Sequence, residues 1–272
     1  MENIRQAIER AKARTTQHGG LVLESSRKQV RTDLSPTHDV YARNHEVEIE
    51  LPHLQSHRIV AYDGKDPLSR PFDILRTEAL HSMDMKGWKI LAITSPTPSC
   101  GKTLTAINLA LSIGRQPERR VLLVDLDLRK PRVAASLGLK CREGLLGVIE
   151  QRIQLDSAVV PIRAGNSRME VLPTAPASNA SDLAGSSAMT RLLEDITDYG
   201  QSRIIILDLP PLLAGHDVIS ILPHVDCVLL VGAIGVSTVG DIEECEKHLQ
   251  ATNVVRFVLN KVPESAANYL YY

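Results

Sequence analysis

The sequence predicts an α/β fold: a mostly parallel sheet with helices on both faces, in the architecture of a phosphate-loop (P-loop) NTPase. Three observations predict it. Short, continuous apolar runs recur along the 272 residues, as they do in strands buried on both sides. Helical patterns alternate with these runs, the order of βαβ units. Several runs close on residues that bind phosphate or metal: Gly101-Lys102-Thr103, Asp125 with Asp127, and Asp208.

The first residues, MENIRQAIERAKAR, place Ile4, Ala7, Ile8 and Ala11 on one face of an amphipathic helix over 1–14. Such a helix serves either its own domain or the docking of another protein. From Thr15 to about Glu50 the composition is polar, with Gly19-Gly20 and Ser35-Pro36, and reads as a linker mostly without fixed structure. The expected division is therefore a helix and flexible linker over 1–56 and a catalytic domain over 57–272. Arg58–Tyr62 reads as a short strand, and Phe72, Leu75, Ala79 and Leu80 as the apolar face of a helix over 68–81.

Next comes WKILAITSPTPSCGKTLTAINLA, residues 88–110. An apolar strand, a loop of small residues, Gly-Lys-Thr and a helix make a phosphate-binding loop. Its helix N-terminus turns backbone N–H groups and a partial positive charge toward an anion. Pro98, Ser99, Cys100, Gly101, Lys102, Thr103 and Leu104 would hold ATP. Lys102 would reach the terminal phosphates, and the Thr103 hydroxyl would hold Mg²⁺. Pro96 stands where this loop usually begins with glycine, and Cys100 reads as a small filler.

Val121–Val124 is a second strand, and it runs into DLDLRKP. Ligands of such sheets bind beyond the carboxyl ends of the strands. Asp125 and Asp127 would thus lie near the phosphates, where two carboxylates can hold Mg²⁺ and one can act as a base. Met169–Leu172 is another strand, and 188–199 a helix. Ile204–Leu207 then closes on Asp208, the second acid of a phosphate-loop site, which orders Mg²⁺. Strands over 227–231 and 254–259 flank a helix over 239–249. Asn260 ends the last strand, either pairing with adenine or serving as a turn residue.

Composition narrows the setting. A net charge of −1 gives no overall field for nucleic acid or an anionic membrane. Cys100, Cys141, Cys227 and Cys245 lack metal-ligand spacing and read as reduced thiols of a cytoplasmic protein. No stretch is long and apolar enough to span a bilayer, and the N-terminus has no signal-peptide core. Three of the six tyrosines fall in the last four residues.

The loop over 94–103, VLLVDLDLRKP, LDLPP, Leu75-Arg76-Thr77, Val171-Leu172-Pro173 and the Tyr269-Leu270-Tyr271-Tyr272 tail together resemble one family. It is the bacterial tyrosine autokinases of the CpsD/CapB type, which act in capsular and exopolysaccharide synthesis and are related to the ParA/MinD ATPases. The resemblance covers about residues 57–272. It implies ATP and Mg²⁺ as cofactors, with Lys102 on the phosphates, Thr103 and Asp208 serving Mg²⁺, and Asp125 or Asp127 as metal ligand and base. It implies phosphorylation of Tyr269, Tyr271 and Tyr272, and a membrane polysaccharide co-polymerase or chain-length adaptor as partner. A cognate tyrosine phosphatase and a cytoplasmic place at the inner membrane face, reached through that partner, follow as well. It also implies self-association. The family's contact helix reads Glu-x-x-Arg-x-x-Arg, however, and the same slots here hold Arg70, Asp73 and Arg76. Two changed charges argue against a ring closed by that contact.

Two other readings share the sheet and the acids. One is an ATP-binding switch subunit without kinase turnover. The other is a ParA/MinD-like partitioning ATPase, which would carry a signature lysine where this chain has Thr97.

Overall fold

The structure, a computed structural model, describes residues 38–39, 46–199 and 203–263. The expected helix over 1–14 and the tail tyrosines lie outside the described residues.

The elements run in order: β1 (His38–Asp39), β2 (Val47–Glu48), α1 (Leu51–Ser56), α2 (Arg70–Lys86), β3 (Ile90–Thr94), α3 (Lys102–Gly114), β4 (Val121–Asp125) and α4 (Val133–Leu137). There follow β5 (Leu139–Lys140), α5 (Leu145–Ile149), α6 (Leu155–Ala158), β6 (Val160–Ala164), β7 (Ser167–Leu172), α7 (Ala180–Ala184) and α8 (Ser187–Tyr199). The chain closes with β8 (Ile204–Asp208), α9 (Asp217–Ile221), β9 (Cys227–Ala233), α10 (Val239–His248) and β10 (Asn253–Asn260). Eight strands form one sheet in the order β10-β9-β3-β8-β4-β7-β6-β2. Every neighbouring pair in it is parallel except β6 with β7.

Strand side chains alternate between two cores, as a pleated sheet requires. Leu91, Ile93, Leu123, Ile206 and Leu229 pack on one face with α2 and α3. Ala92, Leu122, Val124, Leu207 and Val228 pack on the other with α8. Because both faces are covered, the central strands are apolar up to their carboxyl ends, where Thr94, Asp125 and Asp208 stand, which is why they read as continuous apolar runs. The parallel register sets Asp125 opposite Asp208, and Ile93 opposite Asp208 on the other side. Three strand ends therefore converge on one point.

Three expectations need correction. Residues upstream of 57, expected in the linker, pack on the sheet domain. Val47–Glu48 adds to β6, and Ile49 and Leu54 are buried beneath a surface of ion pairs from Glu46 and Glu48 to Arg163. Two apolar residues among charges were too few to stand out from a linker. The Arg58–Tyr62 segment is not a strand. The Oδ1 of buried Asn108 accepts the Val60 and Ala61 N–H groups at 2.8 and 3.0 Å, so these donors never meet a neighbouring strand. Finally, α2 runs to Lys86, because Met83 is buried and Gly87 ends the helix in the left-handed region at φ 68°.

Asn108→Ala should expose how much this segment depends on one side chain. Leaving two N–H groups unpaired is expected to cost about 2–4 kcal/mol, read as a lower midpoint in chemical unfolding. A change under about 0.5 kcal/mol would show that water replaces the amide freely.

Candidate active site

The site lies beyond the carboxyl ends of β3, β4 and β8, around a cavity of about 500 Å³. Pro98, Ser99, Gly101, Lys102, Thr103 and Leu104 form one wall, as the loop motif predicts, and Asp127 forms part of the opposite one. The loop is tied down at its base. Ser95 and Pro96 carbonyls accept the Leu212 and Leu213 N–H groups at 2.8 and 3.1 Å, and the Thr94 hydroxyl donates to the Pro210 carbonyl at 2.7 Å. The phosphate loop and the LDLPP segment are thus tied together.

Gly101 opens α3 at φ 94°. A Cβ there would sit 2.1 Å from the Asn260 side-chain nitrogen. That amide donates to the Cys100 carbonyl at 2.9 Å, while its oxygen accepts the Lys261 N–H at 2.8 Å. Asn260 was expected at adenine, with a turn residue as the other reading. In the structure it clamps the phosphate loop, because the missing glycine Cβ lets the amide come so close. Cys100 is the filler its position suggested. It is fully buried, with Sγ 3.2 Å from the Thr97 carbonyl and 3.3 Å from the Ser237 hydroxyl.

The charged centre is compact. Lys102 Nζ lies 2.9 Å from Asp127 Oδ2 and 3.5 Å from Asp208 Oδ1. The Thr103 hydroxyl donates to Asp208 Oδ2 at 2.6 Å. Burial alone would lower the Lys102 pKa, but the charges of Asp208 and Asp127 outweigh it and hold the ammonium above its usual value. Burial pushes the Asp208 carboxyl up, against the pull of Lys102 and Thr103.

The two acids of the DLD segment part company. Asp125 is fully buried, and both its oxygens are engaged by backbone. Oδ1 accepts the Asp127 N–H at 3.2 Å, and Oδ2 accepts those of Arg132 and Val133 at 3.1 and 3.0 Å. Burial and the Asp208 charge push its pKa up to about 8, with the backbone donors and Lys102 opposing. Asp125 was read as metal ligand and possible base; its surroundings make it the anchor of the loop that follows β4. Asp127 alone of the pair lines the cavity.

A pH dependence follows for the protein without nucleotide. The unfolded Asp125 carboxyl ionises near 4, the folded one near 8. Its contribution to stability is complete below about pH 4 and is lost as pH rises to about 8, by up to about 1.4 kcal/mol per unit. The raised Asp208 acts in the same direction. Thermal melting should therefore fall between pH 5 and 8, with a shallower slope in Asp125→Asn. Equal slopes would remove this assignment.

The donor set fits a nucleotide phosphate with Mg²⁺: a loop of backbone N–H groups, one ammonium, one hydroxyl and carboxylate oxygens. Among the described residues no cluster of three His, Cys, Asp or Glu side chains is built as a metal cage. Mg²⁺ needs none, since it takes one or two protein oxygens and completes its shell from phosphates and water.

Sequence reading missed the other rim of the cavity. Arg129, Lys130, Arg132, Pro210, Pro211 and Asp217 line it. The Asp217 carboxylate holds Arg129 Nε at 2.7 Å. The signal was present, as three cations in the five residues directly after the second acid. On α2, Asp73 pairs with Arg115, and Arg76 donates to the Ser112 carbonyl at 2.9 Å. These two contact-helix positions are thus used within the fold.

Comparison with known proteins agrees with this geometry. The profile of the CobQ/CobB/MinD/ParA nucleotide binding domain matches residues 91–271. Tyrosine-protein kinase YwqD of Bacillus subtilis is 32% identical over 167 residues, which cover 60% of this chain and 68% of that protein. The putative tyrosine-protein kinase EpsB of Ralstonia solanacearum is 31% identical over 196 residues, 70% of this chain. This match spans only 25% of EpsB. Among solved structures, the kinase domain of the Escherichia coli tyrosine kinase ETK superposes with a TM-score of 0.67 at 25% identity, covering 80% of this chain and 96% of that one. The chain belongs to the CobQ/CobB/MinD/ParA nucleotide-binding domain family and, within it, to the bacterial tyrosine-protein kinases.

Proposed function

We propose that the protein is an ATP-dependent protein-tyrosine kinase that phosphorylates its own C-terminal tyrosines, Tyr269, Tyr271 and Tyr272, and so regulates exopolysaccharide or capsule synthesis and export. The observation that carries this reading is Asp127: a carboxylate facing the cavity, 2.9 Å from the phosphate-loop lysine and across from a proline-lined wall. A partitioning ATPase needs a base only toward water. Here the rim offers an apolar wall to an aromatic ring, with Ala214 exposed beside Pro210 and Pro211.

Bound Mg²⁺·ATP supplies the γ-phosphoryl group and draws charge from it. The chain's residues do the rest. The loop N–H groups and Lys102 hold the phosphates and offset the charge that gathers on them. Thr103 and Asp208 provide oxygens for the metal. Asp127 accepts the proton of the tyrosine hydroxyl as the oxygen–phosphorus bond forms and the bond to the β-phosphate oxygen breaks, leaving phosphotyrosine and ADP.

We place the protein in the cytoplasm, held at the inner membrane face by a membrane co-polymerase or chain-length adaptor. Among the described residues no helix is long and apolar enough to cross a membrane. A cognate tyrosine phosphatase would reset the tail. Intact-mass spectrometry after incubation with Mg²⁺ and ATP tests the reading. Added mass mapping to Tyr269, Tyr271 or Tyr272 is expected. ATP hydrolysis without added mass would leave a nucleotide switch instead.

A further inference from the structure

The three cations beyond Asp127 have no role in holding nucleotide in the scheme above. Arg129 is fixed by Asp217 and Ser181 across the cavity mouth, which ties the loop after β4 to α7 and α9. Lys130 and Arg132 are exposed, line the cavity and have no acidic partner among the described residues.

Their backbones are held by the acids of the floor. Asp127 Oδ1 accepts the Lys130 N–H at 3.1 Å, and Asp125 Oδ2 accepts the Arg132 N–H at 3.1 Å. The backbone that carries both cations is therefore anchored by the same carboxylate that takes the hydroxyl proton and by its buried neighbour. Next to them the wall is apolar, with Ala214 exposed over buried Pro210, Pro211 and Val218. A tyrosine whose hydroxyl meets Asp127 lays its ring on that wall and brings its flanking residues to the two cations.

We propose that Lys130 and Arg132 form a subsite for an anionic group flanking the acceptor tyrosine. Resting on the kinase reading, this names the acceptor class: a tyrosine beside a carboxylate or a phosphate. In the chain's own C-terminal stretch the nearest preceding acid is Glu264, five residues before Tyr269. A phosphate already on a neighbouring tyrosine is thus the anion nearest to hand, and the first phosphorylation would promote the next.

The test uses a fluorescein-labelled, C-terminally amidated peptide of residues 265–272 in three forms: unmodified, phosphorylated at Tyr269, and with Asn268→Glu. Anisotropy is read on the full protein with Mg²⁺ and a non-hydrolysable ATP analogue. The anionic forms are expected to bind about tenfold tighter than the unmodified one, as two partly exposed charge pairs would allow. Added salt should shrink the preference, and Lys130→Ala/Arg132→Ala should remove it. A gain confined to the phosphopeptide identifies phosphate as the source; equal gains identify any flanking anion.

Equal binding of all three peptides by the wild type would overturn the subsite. So would a preference that survives in the double variant, or a variant defect confined to nucleotide affinity. The kinase reading fails separately. Anionic preference without phosphate transfer would keep the subsite and remove the kinase, whereas transfer without preference would do the reverse.

Discussion

Lys102→Met is expected to lower phosphate transfer by at least about 10²–10³-fold, the loss typical of one preorganised charge at a reacting oxyanion. Among the described residues Lys102 is the only cation paired with Asp127 and Asp208, and both acids raise its pKa over the lowering by burial. Its removal takes away the charge that meets the phosphates and leaves the acids clustered with no opposite charge. They respond by holding protons more tightly, since Lys102 now pulls down both Asp125 and Asp208. The folded variant thus binds more protons than the wild type, and its stability falls more steeply as pH rises. Melting temperatures should lie close together near pH 5 and separate near pH 8. Phosphotyrosine formed by the pure variant at the wild-type rate would sink the assignment. Lost transfer with equal melting deficits at both pH values would show that the acids are already screened by water.

The sequence made the centre of this fold readable and its margins obscure, for a physical reason. The β3, β4, β8 and β9 strands are buried on both faces, so their apolar runs are unbroken, and β4 and β8 end in a charge. Strand β6 alternates instead, with Pro161 half-buried and Arg163 exposed, because it pairs antiparallel with β7 beside the short edge strand β2. Its pattern merges with the surrounding loop. The site shows the same split. Gly101, Lys102, Thr103 and Asp208 were legible because their chemistry depends on local order along the chain. The clamp made by Asn260 was not legible, since it comes from packing against a glycine 159 positions away in sequence. The parting of Asp125 from Asp127 was equally hidden. Asp125 ends β4 with backbone N–H groups folded over it, while Asp127 already belongs to the turn.

That parting makes the second large effect a contrast between two carboxylates. Asp127→Asn should reduce kcat by about 10²–10⁴-fold, the span of a lost general base, with KM for ATP changed only a few-fold. The amide can still meet Lys102 through its oxygen, and Lys102 keeps Asp208. The phosphate grip survives while the acceptor for the hydroxyl proton does not. Asp125→Asn should behave differently. Two oxygens of Asp125 accept three backbone N–H groups, and an amide offers one oxygen in their place. At least one buried donor is left facing an NH₂, a cost of about 1–3 kcal/mol. This should appear as poorer melting at low pH, where the variant's freedom from titration gives it no compensating advantage. Its effect on transfer should be indirect, through the loop that carries Asp127 and the rim cations. Single-turnover transfer and thermal melting on both variants separate the roles. A fall in kcat for Asp125→Asn as deep as for Asp127→Asn, with unchanged melting, would reverse the assignment and make Asp125 the base.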